Sequence, residues 1–390
     1  MLGGPFSPWP CVSDDEKSAV MAVLDSNRVN YWTGQEGRQF EQEFAEMQQV
    51  NHAIAVANGT VALDLAWVAL NLPKGSEVIV TSRTFLASVS SIVLAGLVPV
   101  FADVDANTQN ISVDTIQAKL STKTKAILCV HLAGWPCDMD AINALAKTHG
   151  LYVVEDCAQA HGALYKGQPV GGLGDIAAWS FCQDKIMTTG GEGGMVTTQS
   201  EEFWRTMWSF KDHGKSWNAV YEREHPPGFR WLHESFGTNW RMTEMQAAIG
   251  RCQIKKMPVW TQARNRYAKQ ILDTAAELPG LRVPEVPSDI THAFYKCYVF
   301  VELEALRAGW DRDRIMQSML DLGVPCFSGS CSEVYLEKAF DDTGLRPAVP
   351  LPVAHELTYT SLMFLVHPTL TESEIVHTCN ALRQVMEMAV

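Results

Sequence analysis

A four-residue apolar run, LYVV at 151–154, drives straight into two acids, Glu155 and Asp156. A second run, IAAWSF at 176–181, is apolar except for Ser180 and leads to one lysine, Lys185. A glycine cluster follows at Gly190, Gly191, Gly193 and Gly194. Runs this short and this apolar predict strands buried on both faces, and such strands belong to parallel sheets covered by helices. Ligands bind such sheets outside the carboxyl ends of the strands. An acid at one strand end and a lysine after the next therefore mark a site, and they place the chain in the α/β class.

The rest of the chain alternates accordingly. Strands are predicted at 53–57, 78–81, 99–104 and 126–131, with helices at 40–47, 61–72, 85–95, 139–149 and 201–211. Periodicity fails between 212 and 240, where His225-Pro226-Pro227-Gly228 and the aromatics Phe229, Trp231 and Trp240 predict an ordered loop. A long helix is expected over 243–278, broken near Pro258 and ended by Gly280 and Pro284. Residues 1–284 thus read as an N-terminal arm and a large domain with a mostly parallel sheet flanked by helices. The arm, 1–35, carries a helix near 14–25 and is expected to pack late or on a neighbouring molecule. Residues 285–390 read as a smaller α+β domain with a strand at 295–302 and helices at 312–322 and 372–388.

With 390 residues, 47% hydrophobic and 19% charged, the chain is long enough for two domains and can bury a sizeable core. Its net charge of −13 argues against nucleic acid and anionic membranes as main partners. Ten cysteines without a C-x-x-C pair give no zinc signature, and no metal site is expected. No signal-peptide pattern and no apolar stretch of about 20 residues occurs, so a cytoplasmic location is expected.

Taken singly, the marked residues have ordinary readings. A loop lysine is usually solvated, and an acid at a strand end can cap a helix. Together, Lys185 and Asp156 are what a pyridoxal phosphate site needs. A lysine amine forms a Schiff base with the aldehyde, and an acid keeps the ring nitrogen protonated so that the ring draws electrons from the substrate carbon. Gln159 can reach the same ring. Asn58-Gly59-Thr60 stands between a strand and a helix, where free amides bind phosphate and glycine allows close approach. Ser180 would add a hydroxyl to that phosphate. Phe85 can stack on the ring or serve as core. Competing motifs fail: His213-Gly214-Lys215-Ser216 lacks the P-loop glycine at 209, which is Ser209, and His233-Glu234 meets Gly237 where a zinc protease needs histidine. No G-x-G-x-x-G opens a helix.

These stretches together resemble the pyridoxal-phosphate sugar aminotransferases of the DegT/DnrJ/StrS group. The likeness covers most of the chain: FEQEFA at 40–45, VANGTVALDLA at 56–66, VIVTSRTFLAS at 78–88, VFADVD at 100–105, VHLAGWPCDMD at 130–140, VEDCAQAHGA at 154–163, WSFCQDKIMTTGGEGG at 179–194 and GTNWRMTEMQAAIG at 237–250. It implies the aspartate-aminotransferase-like fold (PLP fold type I) and a homodimer with shared sites. It implies Lys185 as Schiff-base lysine and acid–base, Asp156 on the pyridine nitrogen, Gln159 beside the ring and Phe85 stacked on it. Gly59, Thr60 and Ser180 would hold the phosphate. Asn239 would reach the phosphate of the neighbouring subunit, and Arg241 would face the same shared site.

The resemblance also implies an amino-acid donor, L-glutamate, and a keto or aldehydo sugar as acceptor. Two departures bear on the sugar. The cluster after Lys185 reads TTGGEGG, one glycine longer than usual. The stretch 323–340, GVPCFSGSCSEVYLEKAF, lacks the histidine-rich pocket segment of enzymes for nucleotide-linked 4-keto sugars, with Cys326, Phe327 and Ser328 in that region. This stretch and 229–246 look most similar to members that aminate C8 of oxidised Kdo, giving 8-amino-3,8-dideoxy-manno-octulosonate for lipopolysaccharide. Oxidised Kdo is therefore the expected acceptor, with Phe327 and Arg241 expected at its pocket and Arg230 a further candidate for its carboxylate. The alternatives are a nucleotide-linked keto-deoxysugar such as a perosamine precursor, or a non-catalytic cofactor-binding regulator. A sugar dehydratase is disfavoured because those relatives carry histidine where this chain keeps Lys185.

Overall fold

The computed structural model describes residues 6–224 and 230–390. Part of the loop expected over 212–240, His225 to Phe229, lies outside the described residues. The strands, in chain order, are β1 (His52–Val56), β2 (Glu77–Thr81), β3 (Val98–Ala102), β4 (Thr124–Val130), β5 (Tyr152–Asp156), β6 (Leu164–Tyr165), β7 (Gln168–Pro169), β8 (Ile176–Ser180), β9 (Gly194–Thr198), β10 (Leu281–Arg282), β11 (Ile290–Thr291), β12 (Cys297–Val301), β13 (Cys326–Phe327) and β14 (Ser361–Phe364). The helices are α1 (Asp14–Ser26), α2 (Glu36–Gln48), α3 (Gly59–Leu70), α4 (Leu86–Leu94), α5 (Val113–Gln117), α6 (Met139–His149), α7 (Glu201–Phe210), α8 (Glu244–Ile254), α9 (Met257–Ala276), α10 (Arg312–Asp321), α11 (Pro352–Thr360) and α12 (Glu372–Ala389).

Seven strands form the large sheet in the order β1-β9-β8-β5-β4-β2-β3. Its pairs are parallel from β8 through β5, β4 and β2 to β3, whereas β9 runs antiparallel between β8 and β1. The strand alternation shows why the runs are apolar throughout. Ile79, Ile127, Cys129, Val153, Ala177 and Trp179 enter one buried cluster, while Val78, Val80, Leu128, Val154, Ile176 and Ala178 enter the cluster on the opposite face. With both faces covered, polar side chains are confined to strand ends. The architecture is the aspartate-aminotransferase-like fold, with a mixed sheet between helical layers and a smaller C-terminal unit.

That smaller unit is a four-stranded antiparallel sheet, β10-β12-β14-β13. Along β12, Cys297, Val299 and Val301 pack with α9, α10 and α12, whereas Tyr298 and Phe300 join a cluster of the large sheet. The strand therefore belongs to two cores and seats the small sheet against the large one. The expected break near Pro258 is real: α8 ends at Ile254 and α9 begins with Pro258 in its first turn, where its missing N–H costs nothing. The antiparallel β9 and the short strands β10 and β13 were not legible in the periodicity.

The arm, expected to pack late or on a neighbour, makes contacts within its own chain: Ser7 N–H donates to Glu374 (2.5 Å), Thr369 Oγ1 donates to Pro8 O (2.7 Å), and buried Trp9 stands edge-on to Trp260 (5.2 Å). The indole supplies apolar surface by which this short arm docks.

Helix α2 supports the strand that ends in Ser180. Fully buried Phe44 lies edge-on to Trp179 (5.2 Å) and Phe181 (5.6 Å). Phe44→Ala should lower stability by about 3–5 kcal/mol, read as a fall in the urea unfolding midpoint.

Candidate active site

Strand β5 delivers Asp156 at its carboxyl end, nearly buried. Ser88 of α4 donates to its Oδ2 (2.7 Å), and the Ala158 N–H donates to Oδ1 (3.1 Å). Ser88 is in turn held by Thr84 (2.7 Å). The carboxylate is thus aimed but not neutralised, since no cation pairs with it among the described residues. Gln159 accepts from the Ala133 N–H (2.8 Å), which leaves its amide nitrogen without a partner among the described residues.

Helix α3 begins at Gly59. Asn58 caps it by accepting from the Val61 N–H (3.0 Å), so the first-turn amides of Gly59 and Thr60 remain available, as at any helix start. A Cβ on Gly59 would lie 2.6 Å from Ser180 Cβ, so only glycine lets the helix start and the end of β8 approach this closely. Phe85, at the head of α4, is 72% exposed and is not core.

Lys185 lies in the turn after β8, its amide donating to Cys182 O (3.1 Å). Its Nζ stands 5.0 Å from the ring centre of Tyr295, and its carbonyl accepts from the Trp9 indole (2.9 Å). The Tyr295 N–H donates to Ala133 O (2.8 Å), tying the small unit to the loop after β4. Tyr295 OH donates to Asp184. Burial alone would raise the Asp184 pKa, but Lys185, Tyr295 and Lys296 together hold it below the usual carboxylate range. Burial, with Arg264 and Lys185 nearby, pulls Lys296 down to about 8. Arg264 is buried over Trp9 (5.2 Å), and burial depresses its pKa to about 9. Sequence reasoning missed Ser88, Asp184, Tyr295, Lys296, Arg264 and Trp9. Only Asp184, next to the lysine, and Ser88, inside the TFLAS stretch, carried any local signal.

The remaining expected residues sit on other segments. Asn239 is exposed on a segment bridged to the end of β1, where the Ala57 N–H donates to Trp240 O (2.9 Å). Arg241 does not stand free: its Nη1 donates to buried Asp212 at 2.6 Å. Arg230 is exposed. Phe327 is 40% exposed on β13, and no ring or cation contact joins it to Lys185 among the described residues. His131, Glu155 and Cys157 cluster within 4.8 Å in metal-like fashion. Two of the three are already committed, however: His131 Nδ1 accepts from the Cys137 N–H (3.0 Å) and its Nε2 bonds Glu155 (2.9 Å).

Residues 10–383 match the DegT/DnrJ/EryC1/StrS aminotransferase family. The chain belongs to that family. The GDP-perosamine synthase of Caulobacter vibrioides is 36% identical to it over 386 residues, covering 97% of each chain. An aminotransferase structure from Psychrobacter cryohalolentis is 63% identical with a TM-score of 0.97, covering 98% of this chain and 99% of that one. DesV of S. venezuelae reaches a TM-score of 0.86 at 31% identity, covering 95% and 94%. The chain is a pyridoxal-phosphate-dependent aminotransferase. The residues fit that cofactor: a lysine amine, an aimed and unneutralised carboxylate, an exposed aromatic face and a glycine-lined helix start.

Gly59→Ala should weaken pyridoxal phosphate binding by about tenfold or more, since the added Cβ would force the helix start and the end of β8 apart; titration of the apoprotein checks this. A pH effect follows from His161, which is buried against Trp179 and Phe181 with neither ring nitrogen bonded among the described residues. Burial first, then Lys185 and Arg264, depress its pKa from 6.5 to about 3. The unfolded chain takes up this proton below 6.5 and the folded chain does not, so stability declines as pH falls, by about 1.4 kcal/mol per unit. His161→Phe should flatten urea-measured stability between 6.5 and about pH 5 relative to wild type.

Proposed function

We propose that the chain transfers an amino group from an amino acid, L-glutamate, to a nucleotide-linked keto-deoxysugar, acting as a cytoplasmic homodimer. The observation that carries the reaction class is Lys185 set over Tyr295, in the turn after β8, with an aimed Asp156 at the end of the neighbouring strand β5. What supports the acceptor is the full-length likeness to GDP-perosamine synthases, including that of Escherichia coli O157:H7, 33% identical over 96% of each chain. This replaces oxidised Kdo as the leading acceptor. One observation still speaks for an acidic sugar: the buried guanidinium of Arg83 has no carboxylate partner among the described residues.

In this reading the cofactor, when bound, supplies the electron sink that lets a carbon beside the amine lose a proton. Asp156, oriented by Ser88, would hold the proton of the ring nitrogen. Gln159 and Phe85 would stand against the ring. The amides of Gly59 and Thr60 and the hydroxyl of Ser180 would hold the phosphate. Lys185 Nζ carries the proton between substrate atoms, and Tyr295 with Asp184 keeps that amine in place. Exposed Asn239, with fully exposed Phe236 nearby in sequence, would face the second subunit. Arg241, committed to Asp212, would steady that segment.

L-glutamate should change the visible absorbance of the holoenzyme, and a GDP-linked 4-keto-6-deoxysugar should restore it. Lys185→Ala should abolish the cycle, a loss of at least about 1,000-fold in rate. Restoration by oxidised Kdo alone would reassign the acceptor, and no response to any amino donor would leave a cofactor-binding regulator.

A further inference from the structure

A cavity of about 340 Å³ opens between the loop after β2 and the small unit, lined by Arg83, Arg312, Ser328–Ser332 and Glu333 among others. That volume is within the range of small-molecule sites. Arg83 is 1% exposed. Its Nε donates to Gln109 (3.0 Å), its Nη1 to Ser332 Oγ, and its Nη2 to Ser361 Oγ (2.9 Å). All three partners are neutral, and no carboxylate pairs with it among the described residues. A guanidinium carries five N–H donors, so two remain. A buried cation without a counter-charge is costly, and an anion arriving from outside would offset that cost.

The other charges of the cavity do not supply that counter-ion. Arg312 adds a second guanidinium, with Nε on Asp313 (2.7 Å) and Nη1 on Ser361 O (2.8 Å). Glu333 turns its oxygens to Tyr335 (2.7 Å), His355 (3.0 Å) and Thr358 (3.3 Å). Glu337 is exposed. The cavity is built on segments that also carry residues of the candidate site. Arg83 precedes Phe85 by two residues and lies 5.5 Å from the ring centre of Tyr298. Tyr298 OH accepts from the Ser330 N–H (2.8 Å), fixing the wall of the cavity, and stands three residues after Tyr295, over which Lys185 sits.

We propose that the Arg83–Arg312 cavity is the subsite for an anionic group of the amino acceptor, a sugar carboxylate or a sugar-linked diphosphate. The proposal rests on the sugar-transaminase reading and adds where the acceptor's charge is held. Arg83 acts here in binding, not in the proton transfer at Lys185.

The test is calorimetric binding to the holoenzyme of two unreactive probes, Kdo for the carboxylate and GDP-mannose for the diphosphate. At least one should bind wild type, and Arg83→Gln should weaken it by about 30-fold, with Arg83→Lys restoring part of the loss. Because Arg83→Gln could fail to fold, Ser332→Asp is the second variant. It places a carboxylate beside the guanidinium and should exclude the same probe. Loss of Kdo binding alone assigns the carboxylate, and loss of GDP-mannose alone assigns the diphosphate. No binding of either probe to wild type, or equal binding to folded Ser332→Asp, overturns the subsite. A holoenzyme whose absorbance L-glutamate leaves unchanged overturns the transaminase reading instead.

Discussion

Glu155 holds the site together without taking part in it. Buried at the end of β5, it accepts from the amides of Gly171 (2.9 Å), Leu173 (2.9 Å) and Gly174 (2.7 Å) and bonds His131 (2.9 Å). Burial would raise its pKa, but His131 and these amides outweigh it and keep the carboxylate ionised. One side chain therefore fixes the loop that leads from β5 into β8. Those two strands carry Asp156 on one side and Ser180 and Lys185 on the other. Truncating a carboxylate bonded in this way would leave three amides, that of Gly171 buried, without this partner.

The chemistry divides along the same line. The large sheet supplies groups whose positions are set by strand ends: an acid, a hydroxyl, a helix start. The small unit supplies Tyr295 and Lys296, brought in by β12, whose alternate residues belong to two cores. A site assembled at such a seam can change its acceptor by altering the small unit while the cofactor cradle stays as it is. The stretch around Ser328–Ser332, carried by the small unit, forms a wall of the cavity that Arg83 lines.

Much of this was legible before the structure. Asp156 and Lys185 stand out because they end apolar runs, and the α/β alternation follows from strands that must be buried on both faces. Gly59 was legible as a turn glycine, although the reason for it, the approach of Ser180, is tertiary. What could not be read were residues whose meaning arises only in contact. Arg264 looks like an ordinary charge on a helix and is buried. Arg83 looks like a solvated loop residue and is among the most enclosed cations of the chain. Phe85 could equally have been core, and only its exposure separates the two readings. The short strands β10 and β13 carry too few residues to show a period.

The arm has a consequence for synthesis. The carbonyl of Lys185 receives its hydrogen bond from Trp9, and the arm that carries Trp9 is fastened through Ser7 to Glu374. The lysine's setting is therefore written by the arm and α12 together. A polypeptide emerging from the ribosome cannot finish that setting until the segment that carries Glu374 has been made. Until then the large sheet can be complete while the turn that carries Lys185 is still unmoored.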